Sequence, residues 1–294
     1  MSALAERLKE RPPRTWLFVP ALRAPEWIPK AMASGADGLV VDLEDATAPS
    51  EKDLAREVVR GLALAPRDGP AIVVRVNSDP DVLEPDCAAA VASGADGIIV
   101  PKGEGPFAIR RAAMFLAQTE TDRELAIIPM IETARSVLVA LELAEADMRV
   151  AALGFGGGDL SAEVGWTRTR EGEELAQARA MVVLAAGARG LGSIDTPWLD
   201  IADTAGAANE ARAVARLGFT GKFVIHPSHV GPVNSAFTPS EEEVAHARGL
   251  LEAFDRAIGS GSGVATYQGH MIDDPDARQA RRVLARASVA SRSR

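Results

Sequence analysis

The sequence predicts an alternating α/β protein closed into an eight-stranded parallel (β/α)8 barrel. Three observations carry that expectation: short β-branched runs recur along the chain, alanine-rich helical stretches separate them, and a Ser-Gly-Ala-Asp-Gly turn precedes two of the runs. The turns are Ser34 to Gly38, before Leu39-Val40-Val41, and Ser93 to Gly97, before Ile98-Ile99-Val100. Glycine at the end of a helical stretch is a C-cap signal. A short apolar run bounded by such turns reads as a buried parallel strand.

The elements follow in order. A strand over 15–19 leads into a helix over 24–34, which ends at the first turn and the strand 38–42. A helix over 50–64 precedes the strand 71–76. The alanine-rich stretch after Cys87 ends at the second turn and the strand 97–101. Helices over 105–118, 133–146, 172–187 and 203–217 alternate with strands over 125–131, 150–155, 190–195 and 222–226, and a last helix covers 240–258. Eight strands alternating with helices favour a closed barrel, with an open doubly wound sheet as the alternative. Residues 1–258 are expected to form the barrel. Residues 259–294 are expected to form a linker, Gly259-Ser260-Gly261-Ser262-Gly263, and a C-terminal lid or arm with a basic helix over 275–287.

Composition narrows the function. Of 294 residues, 47% are apolar and 25% charged, as in ordinary globular chains. The net charge of −9 argues against a nucleic-acid binder or an anionic-membrane partner. A single cysteine, Cys87, excludes an internal disulfide and two-cysteine zinc sites, and is expected to be a packing residue. No apolar run resembles a signal peptide or a membrane span, so a cytoplasmic protein is expected.

In a barrel, chemistry sits on the loops after the C-terminal strand ends. Those ends carry Asp42, Glu44 and Asp45, then Arg75 and Asn77, Lys102, Glu132, Gly156-Gly157-Gly158-Asp159, Asp195 and His226. Each has a structural alternative: Asp159 as a helix N-cap, Glu132 as the ion-pair partner of Arg75, Asp195 as a loop brace, His226 as a core histidine. Together they would make a charged pocket, which is a functional signature. Carboxylates with water and substrate oxygens suit Mg²⁺, while four scattered histidines do not suit zinc. The glycine run is not a dinucleotide fingerprint, and neither a phosphate-loop sequence nor a serine-nucleophile elbow is present.

The stretches Arg14-Thr15-Trp16-Leu17-Phe18-Val19-Pro20, Val41-Asp42-Leu43-Glu44-Asp45-Ala46, Val74-Arg75-Val76-Asn77, Val100-Pro101-Lys102, Ile131-Glu132-Thr133, Gly158-Asp159-Leu160, Gly221-Lys222 through Ile225-His226-Pro227, and Gly269-His270-Met271-Ile272-Asp273 occur in this order. Together they resemble the citrate lyase β-subunit-like branch of the HpcH/HpaI aldolase family, which includes citramalyl-CoA and malyl-CoA lyases. The resemblance implies Mg²⁺ bound by Glu132 and Asp159. It implies that Arg75 binds substrate oxygens, that Glu44 and Asp45 lie near the metal and its waters, and that Arg23 and Lys30 contact the phosphates of coenzyme A. It makes Asp273 a catalytic aspartate on a lid supplied by a neighbouring subunit of a homotrimer or hexamer. The implied activity is Mg²⁺-dependent cleavage or formation of a 3-hydroxyacyl-CoA from acetyl-CoA and a 2-oxo acid. The alternatives are a malyl-CoA-type thioesterase, a CoA-independent 2-oxo-acid aldolase, and a citrate lyase β-subunit-like component of a larger assembly.

Overall fold

A computed structural model describes residues 2–64, 69–119 and 123–290. The chain forms two compact units, Met1–Ala236 and Phe237–Arg294. In the first, eight parallel strands pair in chain order and β8 closes on β1. They are β1 (Thr15–Pro20), β2 (Gly38–Asp42), β3 (Ala71–Arg75), β4 (Gly97–Val100), β5 (Ala126–Ile131), β6 (Ala152–Phe155), β7 (Gly192–Asp195) and β8 (Gly221–Val224). The open-sheet alternative is thereby excluded.

The helices are α1 (Ala3–Glu10), α2 (Ala24–Ala33), α3 (Lys52–Arg60), α4 (Pro80–Ser93), α5 (Pro106–Thr119), α6 (Ala134–Leu138) and α7 (Ala140–Ala144), then α8 (Gly157–Val164), α9 (Ala176–Ala188), α10 (Thr204–Leu217) and α11 (Val230–Phe237). The single helix expected over 133–146 breaks at Val139, whose backbone (φ −109°, ψ 20°) leaves the helical range. Helix α1 has no counterpart among the sequence expectations. Its apolar face is only Leu4, Ala5 and Leu8, set among charges, and Ser2 caps it by accepting from Ala5 N at 3.2 Å. That face packs with Trp16, Ala71, Ala126 and Ala152 at the strand starts, closing the N-terminal end of the barrel.

The repeated turn has a structural role. Gly35 and Gly94 have φ of +80° and +74°, which glycine adopts without strain. The aspartate that follows ties neighbouring strands together: Asp37 accepts from Arg14 N and Nε at 3.0 and 2.7 Å, and Asp96 from Ile72 N at 2.8 Å. Cys87 is fully buried, and burial pushes its thiol up to about 12, so it packs and does not react.

Alternation along the strands decides which polar ends reach the barrel mouth. Val40 and Val73 belong to the interior core, so Asp42 and Arg75, two residues on, also face inward. On β7 and β8 it is Ile194 and Phe223 that face inward, which sends Asp195 and Lys222 to the outer helical layer. The expectation that every polar strand end converges on one pocket is therefore corrected. Asp195 accepts from Arg179 Nε of α9 at 2.8 Å and from Lys222 Nζ at 2.5 Å. Glu210 of α10 accepts from Arg179 at 2.7 Å and from Lys222 at 2.7 Å. Burial opposes the charge on Asp195, but Lys222 and Arg179 outweigh it and hold the carboxyl below its ordinary range. His226 is exposed and not a core histidine; its Nδ1 lies 2.7 Å from Ser228 Oγ, and the buried histidine is His229.

The second unit contains helix α12 (Glu241–Gly259), a hairpin of β9 (Ala265–Tyr267) and β10 (His270–Ile272), and α13 (Asp274–Ala290). Ala247, Leu250, Phe254, Ile272 and Ala277 form its core. The expected boundary after residue 258 differs from the observed division at Ala236/Phe237, because α12 packs on α13 within this unit. Residues 259–263 form a hydrogen-bonded turn rather than an extended linker: Ser260 N donates to Arg256 O at 3.1 Å and Ser262 N to Ala257 O at 2.9 Å. Gln268 and Gly269, both at positive φ, make the hairpin turn. A cavity of about 660 Å³ between α12, the hairpin and α13 contains none of the residues singled out by the sequence. Among the described residues, no helix is long and apolar enough to cross a membrane.

Candidate active site

The mouth of the barrel is organised around Asp42, the last residue of β2. It lies in register with Arg75, the last residue of β3. Their side chains form a two-pronged ion pair, Arg75 Nε to Asp42 Oδ1 at 2.8 Å and Nη2 to Oδ2 at 2.7 Å. Both are nearly inaccessible, and such a fork fixes the guanidinium plane. Asp42 also accepts from the backbone N–H groups of Glu44 and Ala46 at 2.9 and 3.1 Å, folding the loop after β2 back on itself.

That fold presents Glu44 and Asp45 to the remaining nitrogen of Arg75, Nη1, at 3.0 and 3.3 Å. Lys102 reaches Glu44 from the other side at 2.7 Å and Asp45 at 3.5 Å. The loop is braced from behind by Lys52, whose Nζ donates to Leu43 O, Glu44 O and Asn77 Oδ1 at 2.7, 2.6 and 2.9 Å. Burial raises the Glu44 carboxyl above its ordinary value in spite of the opposing charge of Arg75.

Glu132 follows β5 and immediately precedes the capping box of α6. Ser136 Oγ accepts from Glu132 N and Thr133 N at 3.0 and 2.9 Å, which fixes the backbone there. Its carboxylate accepts from Lys102 N at 2.7 Å. Lys102 pays for that contact with a φ of +51°, uncommon for a residue with a side chain and a mark of functional sites. Glu132 is 1% exposed, and its carboxyl is pushed up to about 8, first by burial and then by the charges of Glu44 and Asp159. Arg75 pairs with Asp42, Glu44 and Asp45, so the alternative of a Glu132–Arg75 ion pair does not hold.

Asp159 stands in the first turn of α8, where it is exposed. The N-cap of that helix is Gly156, so Asp159 is not the cap. Its charge acts on both Glu132 and Lys102, and it helps raise the Lys102 ammonium, whose burial is outweighed by Glu44 and Asp45. Gly156 allows the close approach of α8 to Glu132. A Cβ there would lie 2.5 Å from both Glu132 Cβ and Glu132 Oε2. Gly156→Ala is therefore expected to displace Glu132 or the start of α8. A drop in turnover of at least about tenfold should follow, since displacement by ~1 Å costs up to about a hundredfold in a positioned site. Steady-state kinetics on the folded variant measures it.

The structure thus gathers Glu44, Asp45, Arg75, Glu132 and Asp159 at one end of the barrel, with Asp42 and Lys102. Arg23 and Lys30 follow β1, Arg23 immediately before α2 and Lys30 on it. Arg23 stands over the Trp27 ring at 5.4 Å, and the exposed Lys30 pairs with Glu26 at 2.7 Å. Asp273 belongs to the second unit, where it joins β10 to α13 and its N–H donates to Asp276 at 3.0 Å. Lys102 is the principal residue the sequence named only as a polar strand end and left without a role. Its positive φ has no sequence signature.

The donor set around Glu132 is all oxygen. Among the described residues, no three His, Cys, Asp or Glu side chains converge closely enough to cage a metal by themselves. A cation there would have one or two carboxylates and would take its other ligands from water or substrate, the habit of Mg²⁺.

Residues 14–227 match the HpcH/HpaI aldolase/citrate lyase family. The citrate lyase β subunit of Leuconostoc mesenteroides is 33% identical over 287 residues, covering 95% of each chain. The human mitochondrial citramalyl-CoA lyase is 32% identical over 296 residues, covering 94% of this chain and 86% of its own. A crystal structure of CitE from Mycobacterium tuberculosis in complex with magnesium, acetoacetate and coenzyme A superimposes with a TM-score of 0.78. It is 33% identical and covers 95% of this chain and 99% of its own.

Proposed function

Because the chain belongs to the HpcH/HpaI aldolase/citrate lyase family, we propose that it is a Mg²⁺-dependent carbon–carbon lyase. Its substrate would be a 3-hydroxyacyl-CoA such as citramalyl-CoA or malyl-CoA, cleaved to acetyl-CoA and a 2-oxo acid. The observation that carries the reading is the buried, charge-surplus carboxyl of Glu132 facing Asp159 at the barrel mouth. Glu132 and Asp159 would hold Mg²⁺, which, when bound, polarises the oxo-acid carbonyl and orients its carboxylate.

The residues of the chain supply the rest. Arg75 is locked by Asp42, so its charge is preorganised to stabilise an oxygen that becomes negative. Glu44 and Asp45 orient waters beside the metal ligands. In the condensing direction Asp273 removes a proton from the α-carbon of the thioester. That carbon then bonds to the oxo-acid carbonyl carbon, and the carbonyl oxygen takes the electron pair. In the cleaving direction the hydroxyl passes its proton to a water held by Glu44 and Asp45, the carbon–carbon bond breaks, its electron pair goes to the thioester α-carbon, and protonated Asp273 gives its proton to that carbon. Arg23 and Lys30 would meet the phosphates of coenzyme A.

Titration calorimetry with oxaloacetate or pyruvate tests the metal-dependent half of the site. Binding is expected with Mg²⁺ and not with EDTA; equal binding in both would refute the assignment. Asp273→Ala should retain that binding and lose turnover. If Asp273 arrives from a neighbouring copy in a trimer or hexamer, mixed assemblies of Asp273→Ala and Glu132→Gln subunits should recover about a quarter of wild-type activity on random assembly. An inactive mixture would place the lid on its own barrel.

A further inference from the structure

Helix α8 begins without a cap of its own. Its N-cap is Gly156, which has no side chain to satisfy the first N–H groups. One of them, Gly157 N–H, instead donates to Thr196 Oγ1 at 3.1 Å, from a residue that follows β7. Thr196 is 2% exposed, and its methyl group lies within 3.2 Å of where a Gly157 side chain would begin. The threonine is held in turn. Its carbonyl accepts from Lys222 Nζ at 2.6 Å, and that ammonium is fixed by Asp195 and Glu210 in the buried four-charge network with Arg179. A rigid, charge-locked layer between barrel and helices therefore ends on the helical turn that carries Asp159.

We propose that Thr196 is a positioning residue for the barrel-mouth site: its hydroxyl caps α8 from across the fold and sets the Asp159 carboxylate opposite Glu132. Lys222 and its partners hold Thr196 in place to do so. The catalytic consequence rests on Asp159 being a Mg²⁺ ligand; the structural link to α8 does not.

Threonine offers a matched pair of tests on the full-length protein. Thr196→Val keeps shape and loses the acceptor, while Thr196→Ser keeps the acceptor. In the metal-free protein, amide exchange over residues 157–161 should rise at least about tenfold in Thr196→Val and stay near wild type in Thr196→Ser. The Mg²⁺ concentration for half-maximal turnover should rise by roughly 10–100-fold in Thr196→Val, the usual range for a group supporting a metal ligand, with kcat at saturating Mg²⁺ changed less. The serine variant should restore it. Unchanged exchange in Thr196→Val overturns the proposal, as does faster exchange with an unchanged Mg²⁺ requirement. A wild-type enzyme indifferent to Mg²⁺ would refute the Asp159 assignment instead, and the exchange comparison would still decide the link to α8.

Discussion

Glu132→Gln is expected to abolish turnover while raising the melting temperature of the metal-free protein. The loss of turnover follows from the proposed role of Glu132 as a charged metal ligand, on the order of 10³-fold or more in rate. The gain in stability follows from the surroundings of Glu132. It is buried beside Glu44 and Asp159, and its carboxyl sits at about 8 in the folded chain against an ordinary 4.5. A carboxyl raised on folding weakens the fold as pH rises, because the unfolded chain ionises first. The penalty is absent below about pH 4.5, grows with pH, and is complete above about pH 8. At pH 7 it amounts to roughly 3 kcal/mol at about 1.36 kcal/mol per pK unit. Glutamine accepts the same hydrogen bond from Lys102 N and carries no charge. Calorimetry in EDTA should therefore show variant and wild type melting together near pH 4 and diverging by several degrees by pH 8. Added Mg²⁺ should stabilise wild type alone. A variant less stable than wild type at pH 8 would contradict this view of the site.

Lys222→Met is expected to destabilise the protein by about 3–5 kcal/mol, the cost of leaving a buried charge network unbalanced. Lys222 is fully buried and donates to Asp195, Glu210 and Thr196 O. Without it, Arg179 alone faces two buried carboxylates. Lys222→Met combined with Glu210→Gln restores neutrality and should recover at least about 1 kcal/mol of that loss, since neighbouring sites couple. Strictly additive losses in denaturant titrations would show that the four residues do not act as a unit.

Much of the barrel was legible in the sequence because its signals are local. The two Ser-Gly-Ala-Asp-Gly turns mark helix ends and strand starts, and the β-branched runs after them are strands β2 and β4. The carboxylates near Arg75 were legible for the same reason, as polar residues at strand ends. What stayed hidden depends on a parity or on a distant partner. Asp195 and Asp42 both end strands, and only the interior alternation separates an outward residue from an inward one. The Thr196–Gly157 contact joins residues far apart in the chain. Helix α1 buries too few apolar residues to show a period. The division before α12 depends on how that helix packs against α13, which its own amphipathic pattern does not specify.

The most direct test of the central claim is a cleavage assay on malyl-CoA, citramalyl-CoA and citryl-CoA with and without Mg²⁺, measuring the acetyl thioester, free CoA and the 2-oxo acid separately. The structure and the family lead us to expect equal amounts of acetyl-CoA and one 2-oxo acid from at least one substrate, only with Mg²⁺ and not with Glu132→Gln. Free CoA with an intact hydroxy acid would make the protein a thioesterase, and no product from any of the three would contradict a CoA-ester lyase.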